Sequence, residues 1–202
     1  MRLKIVQAGE PVLRRTANPL KPDEIRHPAI QQLVEHMCET MRDAPGVGLA
    51  APQIGLPIQL AVIEDLDEYT KGVAPEALAE RERSTVPLTV LFNPQIVFYS
   101  EDTQEFFEGC LSVAGFSALV RRSHTVKVEY LDREAQPQTL EASGWHARIL
   151  QHEIDHLNGR LYIDRMETRT FATIDNLKRY WSASPIAEVR KVLGLDQDEA
   201  QK

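Results

Sequence analysis

Gln151-His152-Glu153-Ile154-Asp155-His156 is the stretch on which the reading of this chain turns. Two histidines four residues apart on a helix lie on one face, so both imidazoles can reach one divalent metal ion, with the glutamate between them as a proton carrier. At about 100° per residue, Trp145, Ile149, His152 and His156 share a stripe bordered by Arg148, while Ala147, Leu150, Ile154 and Leu157 share the nearly opposite one. Both stripes have something to bury, which predicts a central helix with a core behind it and a ligand pocket in front. Glu153 and Asp155 flank the histidine stripe on opposite sides, and either could reach the metal's surroundings. Ser143 or Gly144 is placed to cap the helix and Gly159 to end it. For H-E-x-x-H taken alone, an amphipathic helix with accidental histidines is a serious rival.

The third ligand decides between them. In one large class of metalloproteases the pattern continues as H-E-x-x-H-x-x-G-x-x-H. Gly159 matches that pattern, but Tyr162 stands where the last histidine should be. The third ligand must come from elsewhere: a downstream carboxylate such as Asp164 or Glu167, or a thiolate far back in the chain.

Outward from the helix, 202 residues that are 43% hydrophobic and 26% charged suit one globular domain over 1–202, with residues from about 170 onward an extension of it. The N-terminus has no long apolar run, so neither a signal peptide nor a membrane span is expected. A net charge of −7 argues against nucleic-acid or anionic-membrane binding driven by charge. Two cysteines, Cys38 and Cys110, in a chain too long to need staples point to a reducing compartment, with no disulfide expected between them.

Residues 1 to 20 read as an ordered but irregular arm. Helix is expected from about Pro22 to Ala44, where Ile30, Leu33, Val34, Met37, Cys38 and Met41 recur at helical spacing and make Cys38 a core residue. His36 falls off that stripe, and Pro45-Gly46 ends the helix. Gly46 to Gly55 formally satisfies the dinucleotide fingerprint, but a helix precedes it and Pro52 and a strand follow, so that reading fails. A Gly- and Ala-rich loop there instead lets backbone approach something closely, with Gln53 its one polar side chain. Strands are expected at 57–64, 88–98, 124–132 and 137–143, the last two a hairpin through Asp132 to Gln136. Residues 65 to 87 read as a surface excursion with a short helix from Pro75 to Arg83. Beyond Arg169 come a weak helix (Ile174 to Trp181), a break at Ser184-Pro185, an amphipathic turn or two through Leu195 and a frayed acidic end. Short strands without intervening helices predict an α+β fold, antiparallel sheets around the central metal-binding helix with one N-terminal helix.

Between the strands lies Glu108-Gly109-Cys110-Leu111-Ser112-Val113. Cys110 adjoins a glycine outside any helical stripe and is poorly explained as core. A thiolate there can complete a His-His-Cys site and leave one tetrahedral position open, as catalytic metals require. A lone cysteine is more often structural, but three segments taken together change the balance. GVGLAAPQIG, EGCLSV and QHEIDHLNG, in this order, closely resemble the three signature motifs of peptide deformylases. The resemblance runs from the N-terminal arm to about Arg169 and is similar to the subtype with GWxARILQHE ahead of the metal helix. Two departures are visible: Ala114 where the family usually has proline after CLSV, and Arg121 where proline often precedes Arg122. They are expected to flank the pocket strand.

The resemblance implies metal ligands Cys110, His152 and His156, with Glu153 as proton-transfer group. It implies Gln53 and the backbone N–H of Leu111 as donors to a developing oxyanion. Val47, Gly48, Gly109, Trp145, Arg148 and Ile149 would line the substrate site, and Glu108 with Arg122 would form a supporting ion pair. The implied reaction hydrolyses the formyl group from N-terminal formyl-methionine of peptides and nascent chains. The implied cofactor is one divalent metal, Fe2+ in cells, with Zn2+, Ni2+ or Co2+ accepted; ligand softness alone would not choose among them. A monomer or weak homo-oligomer in the bacterial cytoplasm or, as a mature form, in an organelle is expected. A transient ribosome contact by the C-terminal helix stays open. The rivals are an H-E-x-x-H endopeptidase using Asp164 or Glu167, and a domain that holds metal without turnover.

Overall fold

The computed structural model describes residues 1–197. In chain order its elements are α1 (Pro22–Ile25), α2 (Pro28–Asp43), β1 (Gly48–Ala50), β2 (Leu60–Asp65), α3 (Pro75–Glu80), β3 (Val86–Tyr99), β4 (Thr103–Cys110) and β5 (Val113–Ser123). There follow β6 (Thr125–Leu131), β7 (Pro137–Ser143), α4 (Gly144–Leu157), β8 (Ala172–Thr173), α5 (Ile174–Asn176) and α6 (Ile186–Val192). Among these residues the strands form two antiparallel sheets, β1-β2-β3-β6-β7 and β4-β5-β8. The α+β expectation therefore holds.

Helix α4 runs between the sheets and touches strands of both. The stripe expected to face a core does so: Ala147, Leu150 and Ile154 pack against Ile63, Leu91, Val126 and Val128 of the larger sheet, and Leu157 against Ala17, Ala50 and Ala61. The helix ends in a Schellman arrangement. Arg160 N–H donates to Asp155 O at 2.9 Å and Gly159 N–H to His156 O at 3.1 Å, with Gly159 at φ +71°. The β6–β7 hairpin turns on Asp132, whose carboxylate accepts the N–H groups of Glu134 and Gln136 at 3.0 and 2.8 Å.

Three expectations are corrected. The N-terminal helix is two helices, because Pro28 lacks an N–H to continue α1 and forces the residue before it out of helical conformation; His27 takes ψ 134° and caps α2. The stretch between Tyr99 and Thr125 holds a long hairpin, β4 and β5, where residue patterning had assigned no strand. Ala114 and Arg121 lie within β5, not at its flanks. Cys38 is buried in the core that α2 forms with β1 to β3, and both cysteines are free, as expected.

The N-terminal arm ties the three motif segments together by backbone hydrogen bonds. Val6 N–H donates to Gln53 O at 2.8 Å, Ala8 N–H to Ser112 O at 2.7 Å and Ala17 N–H to Leu157 O at 2.8 Å. The C-terminal extension packs on the smaller sheet, where the fully buried Val189 of α6 meets Phe107 and Leu119. The acidic end expected to fray, from residue 198, lies outside the described residues. No helix among the described residues is long and apolar enough to cross a membrane.

Candidate metal centre and active site

Each ligand candidate is aimed by a local device. His152 and His156 project from one face of α4, their ring centroids 5.0 Å apart. Cys110 ends β4, where the register slips between Gly109↔Ser117 and Cys110↔Val113. Such a bulge re-aims a side chain out of the regular pleat. The thiol sulfur lies 3.3 Å from His156 Nε2, and the ligand atoms of Cys110, His152 and His156 all fall within 4.8 Å of one another. The Cys110 sulfur, not a downstream carboxylate, thus completes the cluster. Asp164 pairs with Arg14 and caps Leu161 N–H at 2.8 Å, while Glu167 caps Arg169 N–H at 3.3 Å. Tyr162, in the place of the metalloprotease histidine, lies flat against His152 with centroids 6.3 Å apart.

The donor set suits a cation. Burial, aided by neighbouring His152, holds His156 well below the ordinary histidine value, in the neutral form that ligates. Burial opposes a charge on His152 as well, but Cys110 and Glu108 outweigh it and draw the ring well above that value. That pull toward positive charge can be met by a proton or by a divalent metal, and the metal also suits the thiolate. His156 Nδ1 and Glu153 Oε2 are buried with no hydrogen-bond partner among the described residues.

Around the triad, Gln53 Oε1 accepts Ala50 N–H at 2.8 Å, which turns Nε2 toward the Cys110 sulfur at 3.6 Å. Ser112 N–H points at the same sulfur from 3.4 Å. Burial pushes the Glu153 carboxyl up to about 7. It sits hard against β1: a Cβ built on Gly48 would lie 2.3 Å from Glu153 Oε1, so any larger residue there would push the carboxylate aside. Burial works against charge on Glu108, but Arg122 overcomes it and holds that carboxyl far below the usual range. Arg122 grips Glu108 with two bonds of 3.0 Å, and Glu108 Oε2 meets His152 Nδ1 at 3.0 Å, orienting the ring.

A cavity of about 360 Å³ opens beside the triad, lined by Val47, Gly48, Gly109, Leu111, Trp145, Arg148, Ile149 and others. Arg148 is more occupied than sequence suggested, since its guanidinium binds Glu108 at 2.6 Å and the carbonyls of Val120 and Gln104 at 3.0 and 2.7 Å. Sequence reasoning missed Asp65 and Arg83. Trp145 Nε1 donates to Asp65 Oδ2 at 2.7 Å, and Arg83 clamps Asp65 at 2.8 and 3.0 Å, so the surface excursion fixes one pocket wall. Phe107, Phe116 and Ile174 also line the cavity unforeseen. Asp155 does not reach the metal side; Arg122 and Arg165 hold its carboxylate.

The two departures acquire partners. Ala114 has the N–H that proline lacks and donates it to Gln7 Oε1 at 3.2 Å, while Gln7 Nε2 donates to Leu111 O at 3.0 Å. Arg121 crosses to Glu105 on β4 with bonds of 3.1 and 3.0 Å.

A sequence profile of the polypeptide deformylase family matches residues 2–172. The chain belongs to that family. It is 47% identical over 173 residues to the chloroplastic peptide deformylase 1A of Solanum lycopersicum, covering 86% of this chain and 62% of the tomato protein. It is 42% identical over 194 residues to peptide deformylase 1 of Bifidobacterium longum, covering 96% of this chain and 86% of the relative. Among solved structures, a class I type b peptide deformylase of Acinetobacter baumannii with Met-Ala-Ser bound superposes with TM-score 0.73 at 31% identity, over 82% of this chain and 99% of that one. The chain therefore spans less than two thirds of the tomato relative's length and nearly all of the Acinetobacter chain's counterpart.

Proposed function

We propose that the chain hydrolyses the formyl group from N-terminal formyl-methionine of newly made polypeptides, releasing formate and a free amine. The observation that carries this reading is the Cys110–His152–His156 triad with the buried Glu153 carboxylate beside it, at the edge of a peptide-sized cavity. Cys110, His152 and His156 would hold one divalent ion, Fe2+ in the cell with zinc, nickel or cobalt as substitutes. Such an ion would supply Lewis-acid polarisation of the formyl carbonyl and would bring the pKa of water down towards about 7.

The protein's own groups do the rest. Glu153 takes the proton of the attacking water at its carboxylate and returns it to the leaving amine. Gln53 Nε2, held in orientation by Ala50 N–H, and the N–H of Leu111 donate to the developing oxyanion. Val47, Gly48 and Gly109 offer backbone to the peptide. Trp145 and Ile149 give the methionine side chain an apolar bed, for which an unbranched thioether is well suited. The tripeptide Met-Ala-Ser held by the Acinetobacter relative supports a peptide with methionine first.

Steady-state kinetics on three substrates test the reading. A formyl-Met peptide should be cleaved efficiently, an acetyl-Met peptide hardly at all because its extra methyl crowds the narrowest point, and a formyl peptide with a charged first residue poorly. Equal rates on formyl and acetyl peptides, or cutting of an internal bond, would replace this proposal with an endopeptidase.

A further inference from the structure

Asp155 lies between the two histidines on α4 yet neither joins the triad nor lines its cavity. It is only 7% exposed. Its Oδ2 accepts from Arg122 Nη1, and its two oxygens accept from Arg165 Nε and Nη2 at 2.7 and 2.8 Å. Arg122 is therefore held at both ends, by Asp155 at one and by its two bonds to Glu108 at the other.

The charges explain why. Glu108 receives four N–H groups: two from Arg122, one from Arg148 and one from His152. Two of those three side chains are buried cations, and one carboxylate cannot balance both. Left so, Glu108 would be a weak acceptor for His152, and the surplus positive charge would sit beside a place meant for a metal cation. Asp155 supplies a second buried negative charge, so that among the buried side chains Glu108 and Asp155 face Arg122 and Arg148, while the third guanidinium, Arg165, is open to solvent that screens its charge. Arg165, with its side chain 36% exposed, holds Asp155 from the solvent side.

We propose that Asp155, backed by Arg165, is a positioning residue for the metal centre. It takes up the charge of Arg122, so that Glu108 stays a strong acceptor for His152 Nδ1–H and presents the opposite ring nitrogen to the ion. The inference rests on the metal-centre reading above.

The test needs no turnover. Cobalt(II) affinity is measured by competition with a chelator, alongside the visible absorption of the cobalt form and thermal unfolding of the metal-free protein. Asp155→Asn keeps an acceptor for Arg122 and removes the charge; affinity should fall roughly 10–100-fold, as it does when outer partners of metal ligands are lost. A merely structural Asp155 would lower the unfolding temperature and leave the affinity of the folded protein unchanged, and that result overturns the proposal. Adding Arg148→Gln to Asp155→Asn restores one carboxylate to one guanidinium, so affinity should recover; a further, additive loss overturns the charge argument. If Asp155→Asn does not fold, Arg165→Gln carries the test, with weaker cobalt binding expected and unchanged binding overturning it. Wild-type protein lacking a cobalt band that depends on Cys110 would overturn the metal-centre reading itself.

Discussion

Glu153 gathers several consequences of burial in one side chain. The residue is 4% exposed, its carboxylate lies against Gly48, and Oε2 has no hydrogen-bond partner among the described residues, which is the setting the proposed proton transfer needs. Glu153→Gln is nearly isosteric and leaves the triad intact, yet cannot accept that proton. Metal content and fold should persist while turnover falls roughly 10²–10⁴-fold; a variant within about threefold of wild type would move the proton carrier elsewhere. Cys38 makes a second prediction, well away from the site. Burial raises its thiol from 9.0 to about 11, so the folded state keeps a proton that the unfolded state gives up. A raised folded-state value means the contribution is fully present below about pH 9 and is lost as pH rises through about 11. The urea stability of wild type should therefore decline over that window by about 3 kcal/mol more than that of Cys38→Ala. Parallel pH profiles would refute it.

At the scale of elements, the end of α4 is set by Gly159. Its φ of +71° lies where an L side chain is strained, and an added Cβ would stand 2.8 Å from the backbone carbon and oxygen of Arg14. Arg14 belongs to the arm that pairs through Ala17 with Leu157, so the helix stop and the arm share one tight contact. Gly159→Ala should cost about 2 kcal/mol or more in chemical denaturation. A change below about 0.5 kcal/mol would show that the arm yields freely. The β4–β5 hairpin is the other decisive element, because its bulge at Cys110 turns a strand residue toward the helix. Composition gave no warning of it: Gly109 and Gly115 interrupt the alternation by which strands are recognised, and the bulge shifts the period.

At the scale of the whole molecule, the C-terminal extension is part of the core. Val189 is fully buried against Phe107 and Leu119, and Phe107 immediately precedes Glu108 on β4. Val189→Asp should destabilise the protein by on the order of 3 kcal/mol through an unpaired buried carboxylate. A melting temperature unchanged by it would make the extension an appendage. Metal should act on the same global equilibrium: an ion that binds only the folded chain adds about 4 kcal/mol at a thousand times its dissociation constant. Removing it with a chelator should lower the melting temperature of wild type and leave that of Cys110→Ala unmoved.

The sequence by itself determined what is local or periodic. Helix α4 and its two stripes, the glycine stop, the β6–β7 hairpin and the buried face of α2 are written at spacings of two to four residues, within reach of hydrogen bonds and side-chain contacts along one segment. The three ordered motifs added Cys110 as partner to His152 and His156. Only the tertiary structure decided the rest. It split the N-terminal helix at Pro28, paired β4 with β5, turned Asp155 from the metal toward Arg122 and Arg165, and engaged Arg148 with Glu108. It also brought Asp65 and Arg83 to Trp145 across a separation of 80 residues between Asp65 and the indole. Which carboxylate meets which arginine depends on what the packed layers leave buried and unmatched, because a buried charge must find a partner wherever the fold supplies one.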